Sequence, residues 1–217
     1  MTSQTHLTGL AALAEHSEEY LPEDDVLAGA RDAADELGCP TATPSIGATL
    51  RFLATTLCAR AVVEVGTGAG VSGLYLLRGM AGDGVLTSID IEPEFQHAAR
   101  RAFTAAGFPS GRARLIAGRA VDVLPRLTDG GYDLVYVDAA KVEYQRYYQH
   151  GVALLRAGGV IAFGGIGAYG RFTDPARRDP ETLAMRELAR TVSEDERLRP
   201  ALLPVGAGLL VAARSAP

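Results

Sequence analysis

Cysteine is scarce in this chain: Cys39 and Cys58 are the only two in 217 residues. They show neither the CxxC spacing of a metal or redox motif nor the density of a secreted disulfide scaffold, so both are read as reduced and structural. Long apolar runs are missing too, and none approaches the ~18–20 residues that a membrane span needs. Met1 to Leu13 carries no lysine or arginine, and acidic residues follow. That speaks against a signal peptide and makes the cytoplasm the expected location. Nor is positive charge in excess. The net charge of −5 disfavours a general nucleic-acid or anionic-membrane partner. Neither an internal repeat nor a low-complexity linker interrupts the sequence.

What is present is an ordinary globular composition, 47% apolar and 22% charged, with length enough for one α/β domain. The expected domain spans 1–217, with a helical cover in 1–58 and an alternating core in 62–217. Leu7, Leu10, Leu13 and Ala14 recur at helical spacing and predict an amphipathic helix over 3–20. Pro22 reads as the start of a second helix that ends at Gly38, and Thr43-Pro44-Ser45 opens a third, over 46–57. From Val62 strands and helices alternate: strands at 62–65, 84–90, 112–117, 132–138 and 160–163, with helices between them. The helix from Tyr144 is closed by Gly158-Gly159. Gly164 to Arg178 then reads as a long loop, whose Tyr169 and Phe172 suggest a partly aromatic pocket wall. A last helix over 180–195 precedes a hairpin around Gly206-Ala207-Gly208. The fold class is therefore α/β: a doubly wound, mostly parallel, seven-stranded sheet with an antiparallel C-terminal hairpin.

The chain is organised around Val62-Val63-Glu64-Val65-Gly66-Thr67-Gly68-Ala69-Gly70-Val71-Ser72-Gly73. Strand, glycine turn and helix form the ligand-binding corner of a doubly wound fold. Two ligands compete for it. Gly68 to Gly73 is a literal GxGxxG with Asp90 about twenty residues on, the fingerprint of a dinucleotide. Those glycines begin three residues after the strand ends, however, and Glu64 lies inside it. A carboxylate there repels a pyrophosphate but suits the ammonium of an amino-acid tail. With Asp90 placed for both ribose hydroxyls, the residues favour S-adenosylmethionine over NAD.

The segments 63–72, Ser88-Ile89-Asp90 and Asp133-Leu134-Val135-Tyr136-Val137-Asp138-Ala139-Ala140-Lys141 resemble the small O-methyltransferases of the catechol and caffeoyl-CoA type. The likeness extends over nearly the whole chain, through Thr43-Pro44-Ser45-Ile46-Gly47, Gly118-Arg119-Ala120 and the closing hairpin. It implies that Glu64, Gly66, Thr67 and Ser72 hold the methionine moiety, with Gly68 in the same turn. It implies further that Asp90 takes the ribose, Ala120 lies by the adenine, and Ala42 contacts the cofactor through its backbone. Asp138 matches an aspartate that contacts cofactor and metal, and Lys141 the general base that deprotonates a phenol. The implied partners are a small-molecule methyl acceptor and a second copy of the chain in a homodimer.

One departure stands out. The family's Asp-Asn after strand five, which with the strand-four aspartate ligates Mg²⁺ or Mn²⁺, is replaced here by Gly164-Gly165, and Ala140 replaces a frequent acidic residue. Asp138 alone is a poor site for a hard cation, so the expectation is that a divalent ion adds little. His97 and His150 are read as structural or surface residues. Two alternatives follow: an NAD(P)-dependent oxidoreductase using Gly68 to Gly73, and a methyltransferase homologue that binds cofactor without catalysis. The acceptor itself is not legible.

Overall fold

A computed structural model of the chain describes residues 2–216; the side chains of residues 2–8, Leu10 and Tyr169 lie outside what it describes. Helices α1 (Thr2–Glu19), α2 (Asp25–Glu36) and α3 (Pro44–Thr56) precede strand β1 (Ala61–Val65). Then come α4 (Val71–Gly79), β2 (Val85–Asp90), α5 (Pro93–Ala105), β3 (Ala113–Ala117), α6 (Ala120–Val123) and β4 (Tyr132–Val137). The chain closes with α7 (Tyr144–Leu154), β5 (Leu155–Gly164), α8 (Pro180–Glu194), β6 (Leu198–Leu203) and β7 (Leu209–Arg214). The seven strands form one sheet in the order β3-β2-β1-β4-β5-β7-β6. Strands β1 to β5 pair in parallel, and β7 runs antiparallel to both β5 and β6. The doubly wound expectation is borne out.

β1 is the central strand, and its valines show why it is so apolar. Val62 packs with Leu27, Ile46, Leu50 and Leu74 on one face, whereas Val63 and Val65 pack with Tyr144, Val152 and Leu188 on the other. A strand covered by helices on both faces needs apolar side chains at successive positions. Helices α2 and α3 therefore belong to the core on the α4 side, and Ala42, Thr43 and Ile46 also line the cavity described below. No helix among the described residues is long and apolar enough to cross a membrane.

Several local expectations need correction. Helix α2 begins at Asp25, not Pro22, because the Asp24 carboxylate accepts from the Leu27 N–H and caps it. Leu13 on α1 is 63% exposed, so at that position the predicted apolar face is not packed, and Leu7 and Leu10 lie outside the described side chains. What ties α1 down is polar: Glu18 accepts from the Ser45 N–H at 2.9 Å and the Ser45 hydroxyl at 2.6 Å, at the start of α3. Gly158-Gly159 does not close α7 but lies inside β5, which begins at Leu155. Tyr132 pairs with Leu155 and Leu134 with Val160, so β5 bulges there. Gly158 has φ +75°, and a Cβ on Gly159 would crowd three carbonyl oxygens at 3.0–3.1 Å.

Candidate active site

At the carboxyl edge of the sheet, where the neighbouring strands β1 and β4 end and the winding reverses, lies a cavity of about 590 Å³. Ligands of open α/β sheets bind at this switch point. Its floor is the glycine corner. Gly66, Gly68 and Gly70 have φ of +96°, +50° and +95°. A Cβ on Gly66 would stand 2.2 Å from the Asp138 carbonyl oxygen, so glycine alone lets the ends of β1 and β4 run this close. Gly70 is the N-cap of α4 and brings no side chain to it, leaving first-turn N–H groups free for other acceptors. Gly73, the last glycine of the literal GxGxxG, sits inside α4 against Phe103. It serves helix packing and not the turn.

Ala42, Gly66, Thr67 and Gly68 line the cavity, as do Ser72, Asp90, Ala120 and Asp138. Asp90 Oδ2 accepts from the Gly68 N–H at 2.9 Å and Oδ1 from the Glu92 N–H at 3.0 Å. It thus braces the corner and the turn that leads into α5 while each oxygen keeps a lone pair for a ligand. Ala42 is held by Arg31, whose Nη1 donates to the Ala42 carbonyl at 2.9 Å and to Thr41 Oγ1 at 2.8 Å. Glu23 fixes that guanidinium through a two-pronged contact at 2.6 and 2.7 Å.

Glu64 is the exception among the expected ligand-facing residues. It is fully buried and does not line the cavity. Strand alternation turns it under α4, one layer behind the wall. There Oε1 accepts from the Ser72 hydroxyl at 2.7 Å and Oε2 from the Ser88 hydroxyl at 2.5 Å. Burial pushes its carboxyl up from 4.5 to about 7, against the two serine bonds that lower it, with Asp90 and Asp138 adding a smaller upward push. The folded protein therefore holds this proton where the unfolded chain has lost it, so stability falls as pH rises from about 4.5 to about 7. The loss amounts to roughly 3 kcal/mol for one such group. Glu64→Gln removes the titration: its stability relative to wild type, from urea unfolding, is expected to rise by about that amount from about pH 4.5 to about pH 8. A difference that stays constant with pH would contradict this.

Beside the corner, at the end of β4, stands Asp138, and with it Lys141, the only lysine of the sequence. Lys141 Nζ donates to Asp138 Oδ1 at 2.6 Å, to the Tyr144 hydroxyl at 2.5 Å and to the Gly164 carbonyl at 3.2 Å. Asp138 Oδ2 accepts from the Tyr136 hydroxyl at 3.0 Å. Burial, with the Asp138 charge nearby, holds Tyr136 and Tyr144 well above the ordinary tyrosine value, so both stay protonated. Tyr144 sends its proton to the Gly164 carbonyl at 2.8 Å and so meets Lys141 as an acceptor.

Gly164 and Gly165 make room for this cluster. A Cβ on Gly164 would lie 2.5 Å from the Tyr136 hydroxyl, and one on Gly165 would lie 3.0 Å from Lys141 Nζ. Among the described residues no three His, Cys, Asp or Glu side chains gather as a metal-binding group. Asp138 is the one carboxylate here, and both its oxygens are engaged by Lys141 and Tyr136. This donor set does not fit a Mg²⁺-type cation, which requires several oxygen ligands.

Other lining residues were not foreseen. Cys39, read from the sequence as structural, is a free thiol on the cavity wall beside Gly68. Near Ala120, Glu143 accepts from Arg119 Nη2 at 2.9 Å and from the Tyr147 hydroxyl at 2.6 Å, closing one rim. The i, i+3 spacing of Tyr144 and Tyr147 on one helix was a usable signal. Arg171 and Met185 also line the cavity. Phe172 packs into the core beneath the loop and not on the cavity, and the Tyr169 side chain lies outside those described. His97 is exposed, and neither His97 nor His150 lines the cavity.

A seven-stranded mixed sheet, a glycine corner with Asp90 beyond it, and an aspartate–lysine pair on the cavity wall define a Rossmann-like, S-adenosylmethionine-dependent methyltransferase. More narrowly, the O-methyltransferase family model matches residues 17–215, and the chain belongs to that family. A Mycobacterium tuberculosis protein named as a probable O-methyltransferase is 53% identical over 199 residues, covering 92% of this chain and 89% of that one. Among solved structures, a Corynebacterium glutamicum protein aligns with TM-score 0.89 at 31% identity, covering 96% of this chain and 98% of that one. The O-methyltransferase TomG of Streptomyces achromogenes, described as involved in tomaymycin synthesis and solved with S-adenosylmethionine, aligns with TM-score 0.83 at 28% identity. The alignment covers 90% of this chain and 92% of TomG. These likenesses do not favour the oxidoreductase alternative.

Proposed function

We propose that the protein transfers the methyl group of S-adenosylmethionine to a hydroxyl oxygen of a small molecule, with Lys141 as the base and no divalent ion required. The observation that carries this reading is the Lys141–Asp138–Tyr144 cluster on the cavity wall. The acceptor oxygen attacks the methyl carbon, the carbon–sulfur bond breaks, and its electron pair stays on sulfur as the thioether of S-adenosylhomocysteine. The hydroxyl proton passes to Lys141 once that ammonium has released one of its three protons to solvent. The three oxygens now around Nζ then hold the ammonium that forms, an interaction stronger after proton transfer than before it. Asp90 is the ribose partner in this reading, and Ala42, Gly66, Thr67, Gly68 and Ser72 surround the amino-acid end of the donor.

The absence of a metal requirement rests on the same cluster. Lys141 brings a positive charge to Asp138, where a divalent ion would otherwise have to be gathered by one carboxylate. The test is methyl transfer from labelled S-adenosylmethionine to a panel of phenols and alcohols, with EDTA or with added Mg²⁺. Rates are expected to agree within about twofold, the scatter left when no Lewis acid contributes. A loss of about tenfold or more in EDTA, restored by Mg²⁺, would contradict the reading.

A further inference from the structure

We propose that Arg171 determines acceptor specificity, and that the methyl acceptor carries, besides its reacting hydroxyl, one carboxylate held by this guanidinium. This rests on the methyl-transfer reading above and adds the chemical class of the acceptor.

The loop between β5 and α8 brings Arg171 to the cavity that Lys141 also lines. Gly165 starts the loop against Lys141, where an added Cβ would lie 3.0 Å from Nζ. Two successive tight turns lead on to Arg171. The Ala168 N–H donates to the Gly165 carbonyl and the Arg171 N–H to the Ala168 carbonyl, each at 3.2 Å. At about 2 Å of rise per residue, such turns keep the backbones of residues 165 and 171 within about 12 Å. A hydroxylated ring with a short acid side chain spans a gap of that order.

The loop is pinned in place. The Ile166 and Gly167 N–H groups donate to the Gly208 and Ala207 carbonyls of the hairpin turn at 3.1 and 2.8 Å. Phe172 packs into the core. From α8, Arg186 donates to the Phe172, Arg177 and Arg171 carbonyls at 2.8, 3.0 and 3.1 Å, and to the Asp174 carbonyl as well. Ala168 keeps φ +43°, a strained angle for a residue with a side chain, and such strain persists where the surroundings fix it, often at a ligand site.

Arg171 itself keeps unused donors. Among the described residues its side chain makes one hydrogen bond, from Nε to the Ala168 carbonyl at 3.4 Å. Nη1 stands 3.9 Å from Asp179 and Nη2 3.7 Å from Glu181, both beyond hydrogen-bond distance. Asp179 is engaged elsewhere: Oδ1 accepts from the Thr182 N–H at 3.0 Å, and both oxygens meet the Thr182 hydroxyl at 2.9 Å. The other cations of the cavity wall are closely paired, Lys141 with Asp138 and Arg119 with Glu143. Arg171 is thus the cation whose fork can take a planar, two-oxygen partner. Glu181, also on the wall, repels a dianion more than a monoanion. One guanidinium beside it therefore suits a carboxylate over a phosphate.

The test is steady-state methylation, from S-adenosylmethionine, of hydroxybenzoic, hydroxyphenylacetic and hydroxyphenylpropanoic acids. Each acid is compared with its neutral amide and with the corresponding phosphonic acid. For the best acid, kcat/KM is expected to exceed that of its amide by about tenfold or more, the worth of a hydrogen bond to a charged group. It should exceed that of the phosphonic acid too. In Arg171→Gln the preference for acid over amide should fall to within about twofold. The change should come through KM and not kcat, because Arg171 holds the acceptor and not the reacting atoms. Arg171→Lys keeps the charge but loses the fork, and should recover part of the preference. Glu181→Gln removes a competing carboxylate and should raise the preference by about twofold to fivefold, a gain that a purely structural ion pair does not predict. S-adenosylhomocysteine affinity within about threefold of wild type shows that each variant is folded. Equal rates for acids and amides in wild type, or a preference that survives Arg171→Gln, overturns the proposal. A phosphonic acid preferred over its carboxylic counterpart overturns it as well. So does failure to methylate any of the acids in a protein that binds S-adenosylhomocysteine. Wild type that does not bind S-adenosylhomocysteine overturns the methyl-transfer reading itself.

Discussion

Lys141→Ala is expected to lower kcat by about 10²- to 10⁴-fold, the usual contribution of a positioned general base. S-adenosylhomocysteine affinity should change by less than about threefold, under roughly 0.7 kcal/mol. The separation follows from what Lys141 touches: it is bonded to Asp138, Tyr144 and the Gly164 carbonyl, while Asp90 braces the glycine corner that the proposed reading gives to the donor. Tyr144→Phe removes one of those three acceptors and leaves the amine in place, so its loss should be smaller, about tenfold. A Lys141→Ala enzyme with unchanged kcat would remove the base from the mechanism. Loss of methyl transfer with full cofactor binding would also set aside the alternative of a homologue without catalysis, since that alternative has no activity to lose.

The second large effect concerns the corner itself. Gly66→Ala is expected to destabilise the fold by about 3 kcal/mol or more and to abolish measurable S-adenosylhomocysteine binding. Two costs add. An alanine at φ +96° loses about 1–2 kcal/mol to its own backbone. Its Cβ would also lie 2.2 Å from the Asp138 carbonyl oxygen, and relieving that overlap parts β1 from β4 at about 1–3 kcal/mol more. Gly107→Ala is the matched control, with φ +80° and no atom within 4 Å of the new Cβ. It should cost about 1–2 kcal/mol and leave binding alone. Urea unfolding with calorimetry of both variants measures the difference. Equal losses would show that the close approach of β1 and β4 matters less than the backbone angle.

The features that specify the fold were legible because they are periodic or chemically narrow. Valine-rich strands alternating with helices give a parallel sheet, and the antiparallel hairpin follows from Gly206-Ala207-Gly208. The glycine corner, Asp90, Asp138 and Lys141 were legible as residues, and the fold brings them to one cavity. What stayed hidden depends on which side of a layer a side chain takes. Glu64 is conspicuous in the sequence, yet nothing local tells whether a strand residue faces a ligand or the helix behind it. Gly158-Gly159 looked like a helix stop because glycine marks both helix ends and strand bulges. Cys39 and Phe172 exchanged expected places: the small buried thiol faces the cavity, and the aromatic ring faces the core. Composition cannot separate those two outcomes.

The most direct measurement is a crystal structure grown with S-adenosylhomocysteine and an excess of Mn²⁺, with anomalous data collected at the manganese edge. The expected result is a ligand along the glycine corner with its ribose on Asp90, Lys141 Nζ against Asp138, and no anomalous peak beside them. A manganese peak on Asp138 with Lys141 displaced, or a ligand bound away from the corner, would contradict it.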